Sequence, residues 1–335
     1  MKPYDQLTRL GKIRRQRQIV MAALQDYDLA VKSVKFLADH TNTLFQVNCV
    51  DGARYALRIY SDGETTLKEN RAEMFWLNAL KRETDLKITE PIARKDGTYL
   101  TVINLPGVPP DQRCAVFSWV PGQALEETAG AMNTENYFKY GEALAKLHNH
   151  SESLNPLPAD ISPKKWDKVF YYASEPIVYN DAAYAHLYTA EQIALLDEVI
   201  AIADPLLMGM FRDPAGQQLL HGDLHYWNVH VYKNELYLID FEDLNLGYDV
   251  QDVAITFYYG RDLENKPALE AAFKEGYSSL RRWPVESDKQ LQTLIAARMV
   301  MFTNYVGHML DEADAREFIA ARCVELKDFL ARYKS

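Results

Sequence analysis

Three short strand-like runs stand near the start of the chain, at Val34 to Ala38, Leu44 to Val50 and Arg54 to Tyr60. Asp51-Gly52 between the last two is a strong hairpin signal. The segment Asp39-His40-Thr41-Asn42-Thr43 joins the first two. Before them, residues from Leu7 to Leu24 read as a helix with Arg9, Lys12, Arg14, Arg15 and Arg17 on a solvated face. After them, Ala72, Phe75, Trp76, Ala79 and Leu80 form one apolar stripe and predict a helix over Thr65 to Leu80. Two more strands are expected at Tyr99 to Ile103 and Cys114 to Val120, separated by the breaker-rich loop Leu105 to Pro110. Thereafter the pattern is mostly helical. Tyr137, Gly141, Leu144 and Leu147 mark a helix ending near His148, and further helices are expected at Pro267 to Ser278, Ser287 to His308 and Ala315 to Tyr333. Pro156 to Asp181 is irregular and carries Trp166, Tyr171, Tyr172 and Tyr179, an aromatic group that suits either packing or a pocket wall.

Composition narrows the class. A chain of 335 residues with 48% hydrophobic residues has material for about two domains. No run of 18 apolar residues occurs, so no spanning segment is expected. The opening Met1-Lys2-Pro3-Tyr4-Asp5 lacks the apolar core of a signal peptide. Cys49, Cys114 and Cys323 are far apart and odd in number, which fits reduced thiols and a cytoplasmic setting. The formal charge of −10 argues against nucleic acid as the main partner.

The chemistry is concentrated in one stretch, His221-Gly222-Asp223-Leu224-His225-Tyr226-Trp227-Asn228, followed by Leu238-Ile239-Asp240-Phe241-Glu242. Phosphoryl transfer in protein kinases uses H-R-D-L-x-x-x-N and then D-F-G. The first Asp steers the attacking hydroxyl, while the Asn and second Asp hold the metal. Here Asn228 follows Asp223 by five residues, and Asp240-Phe241 supplies the second pair. Gly222 stands where kinases have Arg, and Glu242 where they have Gly. Val229 to Tyr232 and Leu236 to Ile239, around the turn Lys233-Asn234, read as a hairpin whose open ends would bring Asn228 and Asp240 to one cation. An amide and a carboxylate suit Mg²⁺. His221, Asp223 and His225 also resemble a clustered metal-ligand run, but a zinc hydrolase needs further ligands, and the other histidines are scattered.

On these motifs the sequence resembles the aminoglycoside phosphotransferase and choline kinase superfamily, whose catalytic stretch reads H-G-D-L-H-x-x-N; it is also similar to bacterial stress-response kinases and homoserine-kinase-type enzymes. The resemblance runs from about residue 33 to residue 330. It implies an α+β, bilobal protein-kinase-like fold: an antiparallel-sheet nucleotide lobe with its leading helix over residues 1–117, a hinge at 118–122, and a helical catalytic and acceptor-binding lobe over 123–335. It implies Asp223 as the catalytic residue, Asn228 and Asp240 on Mg²⁺, and His221, His225 and Asp252 supporting the loop, the last within Gly247 to Ala254. ATP or GTP would be the donor. Arg58 takes the place of the strand lysine that grips phosphates, and a lone cation inside an apolar strand needs a partner. Glu73 on the next helix is the chosen partner, with Glu69 one turn away. No G-x-G-x-x-G is present, so Thr41, Asn42 and Thr43 would bind phosphate through hydroxyls and backbone N–H groups. Ser118, Trp119 and Val120 would meet the base through main chain. Glu242, Asp243 and Trp227 are candidates for the acceptor pocket.

The expected function is transfer of a γ-phosphoryl to a hydroxyl of a small molecule such as an amino alcohol, sugar or aminoglycoside-like compound. A bacterial Ser/Thr protein kinase and a non-catalytic nucleotide-binding module are the alternatives. Gly222 leaves no arginine beside Asp223 to receive a phosphorylated activation segment, so no phosphorylation switch is expected.

Overall fold

The computed structural model describes residues 2–39, 41–61 and 63–333; His40 of the first connection lies outside the described residues. The chain forms two compact units. One comprises Met1–Gly122, Pro158–Ser162 and Tyr232–Glu242, the other Gln123–Leu157, Pro163–Val231 and Asp243–Ser335. Asp223 and Asn228 therefore belong to the second unit, and Asp240 and Glu242 to the first.

In the first unit, α1 (Arg9–Ala23) precedes β1 (Val31–Asp39), β2 (Thr43–Cys49) and β3 (Arg54–Ile59); α2 (Leu67–Glu83) follows, then β4 (Lys87–Ile88), β5 (Leu100–Ile103) and β6 (Gln112–Ser118). Five of these strands pair antiparallel in the order β1-β2-β3-β6-β5. Alternate residues of a strand point to opposite faces. Leu57 and Ile59 of β3 therefore share one face and join Phe45, Val47 and Val116 in a core with Ile19, Val20 and Ala23 of α1. Arg58 points the other way, towards α2. That helix starts with a reciprocal cap, because the Thr66 hydroxyl accepts from the Glu69 N–H and the Glu69 carboxylate accepts from the Thr66 N–H. It buries Ala72, Trp76, Ala79 and Leu80. Full burial of the larger of these side chains contributes roughly 1.5–3 kcal/mol each. Further along, the strand Glu235–Leu238 runs parallel to β4, and the following Phe241 packs edge-on against Trp76 at 5.6 Å. Lys233 and Asn234 before that strand have φ of 50° and 64°, the left-handed pair a two-residue turn requires.

Helices make the second unit: α3 (Thr134–Ser153), α4 (Ala190–Met210), α5 (Asp249–Tyr259), α6 (Lys266–Leu280), α7 (Asp288–Met309) and α8 (Glu312–Tyr333). α3 packs along α6, and α7 packs against α5, α4 and α8. A small sheet of Lys164–Lys165, Asn245–Gly247 and Gln218–Leu220 leads into the loop that carries Asp223. Two sequence expectations change here. The third helix does not end near His148 but continues to Ser153. α4 was not foreseen, because Pro205 and Gly209 interrupt a run that is apolar on several sides; the usable signal was its cap, Thr189 with Gln192 three residues on. The aromatic group before α4 is largely packing, since Trp166, Tyr171 and Tyr179 are all buried. Among the described residues no helix is long and apolar enough to cross a membrane.

Candidate active site

In the first unit a group of carboxylates surrounds the buried cation Arg58. The Arg58 guanidinium donates to Glu73 at 3.0 Å and to Asp240 at 2.7 Å, and lies 3.4 Å from Glu242. Burial opposes its charge, but Asp240, Glu73 and Glu242 more than offset that and hold its pKa above the ordinary arginine value. Glu73 is also buried, and burial pushes its carboxyl up against the opposing pull of Arg58 and Tyr60. Glu69, committed to the helix cap, takes no part in this pair. No sequence pattern points to Tyr60, whose hydroxyl donates to the second Glu73 oxygen at 2.7 Å. Tyr60→Phe is expected to destabilise the protein by about 1.5–3 kcal/mol, because a buried carboxylate oxygen loses its donor. Urea unfolding checks this, and an unchanged midpoint would show that Arg58 alone satisfies Glu73.

Asp240 adopts φ 66°, a left-handed conformation that Asp tolerates better than most residues, and its side chain stays 41% exposed beside Arg58. The Glu242 carboxylate accepts from the Asn42 amide and from Thr41 at 3.5 Å, while the Asn42 oxygen accepts from the Ser61 N–H at 3.0 Å. Glu242 thus stands with the residues assigned to the nucleotide, although its motif position suggested the acceptor. Thr43 is not part of this group. Its buried hydroxyl donates to Asp39 at 2.6 Å and accepts from Gln16 at 2.7 Å, a knot that fixes the base of the β1–β2 connection.

In the second unit, Asp252 at the first turn of α5 anchors the loop from below. Its oxygens accept from the backbone N–H groups of His221 and Gly222, both at 2.9 Å, and the buried His148 ring approaches at 3.2 Å. Burial would raise the Asp252 carboxyl, yet the His148 contact and the other groups around it hold it below the ordinary range. Tyr140 and Thr256 donate to the Leu224 carbonyl at 2.6 and 2.7 Å. So supported, the loop presents Asp223. One carboxylate oxygen accepts from Arg298 at 2.7 Å and Tyr259 at 3.1 Å, and the other lies 3.2 Å from the His225 ring. Burial works against the charge of Asp223, but His225, Arg298 and His221 keep its pKa below the ordinary carboxylate range. The Asn228 amide nitrogen donates to the Asp223 carbonyl at 2.9 Å, which leaves the amide oxygen as the atom available to a ligand. An amide oxygen here and an exposed carboxylate at Asp240 are hard donors of the kind Mg²⁺ takes.

The model of the phosphotransferase enzyme family matches residues 33–286, most of the chain. The chain belongs to the phosphotransferase enzyme family. Within the family it is similar to an amicoumacin kinase of Bacillus subtilis (strain 168), 23% identical over 258 residues that span 74% of this chain and 69% of that one. Among solved structures it resembles a microcompartment-associated aminopropanol kinase, with 20% identity, coverage of 95% and 98%, and a TM-score of 0.77. It also resembles an amicoumacin kinase in complex with AMP-PNP, Ca²⁺ and Ami, at 18% identity, 93% coverage of both chains and a TM-score of 0.72. The fold is the α+β, bilobal, protein-kinase-like fold of these phosphotransferases.

Several family positions have contacts of their own. The Ser118 N–H is taken by the Glu90 carbonyl at 2.8 Å and its hydroxyl accepts from the Glu90 N–H at 2.9 Å, so its carbonyl is its remaining main-chain group. The Trp119 ring lies under Arg54 at 5.0 Å. Asp243 accepts from the Tyr172 hydroxyl at 2.5 Å and from Lys164 at 2.9 Å. Trp227 is 43% exposed, donates through its indole N–H to Glu126, and packs edge-on to Tyr259 at 5.8 Å.

Proposed function

We propose that this phosphotransferase moves the γ-phosphoryl of Mg²⁺-ATP to a hydroxyl of a small molecule. The observation that carries the reading is Asp223, a carboxylate kept ionised and oriented by three donors on a loop anchored at Asp252. The acceptor oxygen attacks the γ-phosphorus and forms the new O–P bond. The bond from that phosphorus to the β–γ bridging oxygen breaks, and ADP leaves. The hydroxyl proton passes late to Asp223, whose depressed pKa suits a group that orients rather than deprotonates early. Arg58, tied to Glu73, neutralises phosphate charge, and Asn42 and Thr41 contribute donors. Asn228 offers its amide oxygen and Asp240 its carboxylate to the metal. Mg²⁺, when bound, supplies further neutralisation of the phosphates. The relatives named for amicoumacin and aminopropanol support a small-molecule acceptor.

ADP release with Mg²⁺-ATP, and GDP release with Mg²⁺-GTP, measured against amino alcohols, sugars, aminoglycosides and protein substrates tests this. One small acceptor raising turnover far above background is the expected result. Turnover only with protein substrates would overturn the acceptor class.

Glu242 gives a second expectation within the same reading. It occupies Thr41, Asn42 and Arg58, the donors assigned to the phosphates. Glu242→Ala should therefore tighten binding of ATP without divalent cation, by about three- to tenfold if one contact of ordinary strength no longer competes. Calorimetry would read it, and weaker binding would mean that Glu242 serves the nucleotide instead of competing with it.

A further inference from the structure

α7 carries a cation in the run Ala296-Ala297-Arg298-Met299-Val300-Met301, where every neighbour is buried and Arg298 itself is only 2% exposed. Removing a guanidinium from water is costly unless a partner of opposite charge is held in good geometry. Here the carboxylate partner is Asp223, at 2.7 Å. The rest of the side chain is fixed by apolar and weakly polar contacts. The guanidinium lies 4.8 Å over the Phe302 ring, and its other amino group is 3.5 Å from the Tyr171 hydroxyl and 3.7 Å from the Met301 sulfur. These neighbours hold the guanidinium without competing for its charge, so its short contact with a charged partner is the one to Asp223.

A carboxylate on a two-bond side chain turns readily, and a hydroxyl it is meant to steer is then presented to phosphorus at a varying angle. Two donors on one oxygen remove that freedom. Arg298 and Tyr259 both hold Oδ1, from α7 and α5 respectively, so Oδ2 is directed to the side where His225 stands. We propose that Arg298, braced by Phe302 and Tyr171 and helped by Tyr259, is a positioning residue: it clamps one oxygen of Asp223 so that the other receives the acceptor hydroxyl in a fixed orientation. The proposal rests on the kinase reading above. Arg298 acts on the reaction through Asp223, its carboxylate partner.

Misplacing a reacting group by about 1 Å costs on the order of 10²-fold in rate. With Mg²⁺-ATP and the acceptor that turns over in the panel above, Arg298→Met should lower kcat about 100-fold while the KM for ATP stays within about twofold. Arg298→Lys, which keeps the charge and one donor, should recover part of the loss, and Tyr259→Phe should show a smaller fall in kcat. Thermal unfolding of each variant separates these effects from loss of fold. If Arg298→Met does not fold, Arg298→Lys and Tyr259→Phe decide, and wild-type kcat in both overturns the clamp. A folded Arg298→Met with wild-type kcat also overturns it, as does an unchanged kcat with a raised acceptor KM, which would make Arg298 an acceptor-binding group. Wild-type protein silent across the whole panel would sink the kinase reading and the clamp together. Wild-type turnover that Arg298→Met leaves intact sinks the clamp alone.

Discussion

Asp223→Asn is expected to lower acceptor phosphorylation by about 10³-fold while ATP still binds, the middle of the range for removing a group that handles a proton in the transition state. The exchange keeps shape and removes charge. An amide oxygen can still accept from Arg298 and Tyr259, so the loop should keep its course. An amide cannot take up the hydroxyl proton, and its NH₂ on the His225 side presents a donor where the acceptor hydroxyl needs an oxygen. Loss of the ion pair leaves Arg298 buried with a neutral partner, so a lower melting temperature should accompany the loss of turnover. ADP release and ATP calorimetry on the same preparation test both halves. Turnover within tenfold of wild type would remove Asp223 from the role assigned to it, and loss of ATP binding would show that the change spreads beyond the loop.

The site was legible where it is linear and obscure where it is assembled from distant helices. His221, Asp223, Asn228 and Asp240 lie in one stretch with kinase-like spacing, and the family match over residues 33–286 includes that stretch. Arg58 was visible as a lone cation in an apolar strand, and Glu73 as the acid one helix away. Arg298 carries the same signal, a lone cation in an apolar run, yet its partner is 75 positions away in sequence, and no local pattern joins the two. Tyr60 and Tyr259 are aromatic residues in segments whose burial explains them without any polar duty; only the position of the hydroxyl reveals it. Glu242 shows a further limit. Its place after Asp240-Phe241 suggested the acceptor, but the contacts of its carboxylate are with Thr41, Asn42 and Arg58. Side-chain direction at the end of a strand depends on backbone angles such as the left-handed Asp240, which no periodicity encodes.

Gly222 makes the same point with a second large effect. In the sequence it is the residue that replaces the kinase arginine, and only the absence of a phosphorylation switch is read from it. In the structure its φ is 81°, and a Cβ there would sit 2.1 Å from the Asp243 carbonyl oxygen and 2.5 Å from the Asn245 side chain. Backbone this close admits no side chain, and the loop has no slack to move away, since Asp252 holds the N–H groups of both His221 and Gly222. Gly222→Ala therefore adds an unfavourable backbone conformation to an overlap with main chain. Each of these costs about 1–3 kcal/mol, so a loss of roughly 2–6 kcal/mol is expected. Urea unfolding should show a lower midpoint at unchanged slope, and the folded fraction should have lost turnover, because relieving the overlap must shift Asp223. An unchanged midpoint would mean that the Asp243 segment yields freely. A stable variant with full activity would mean that glycine at this position is a matter of descent, not a condition for presenting Asp223.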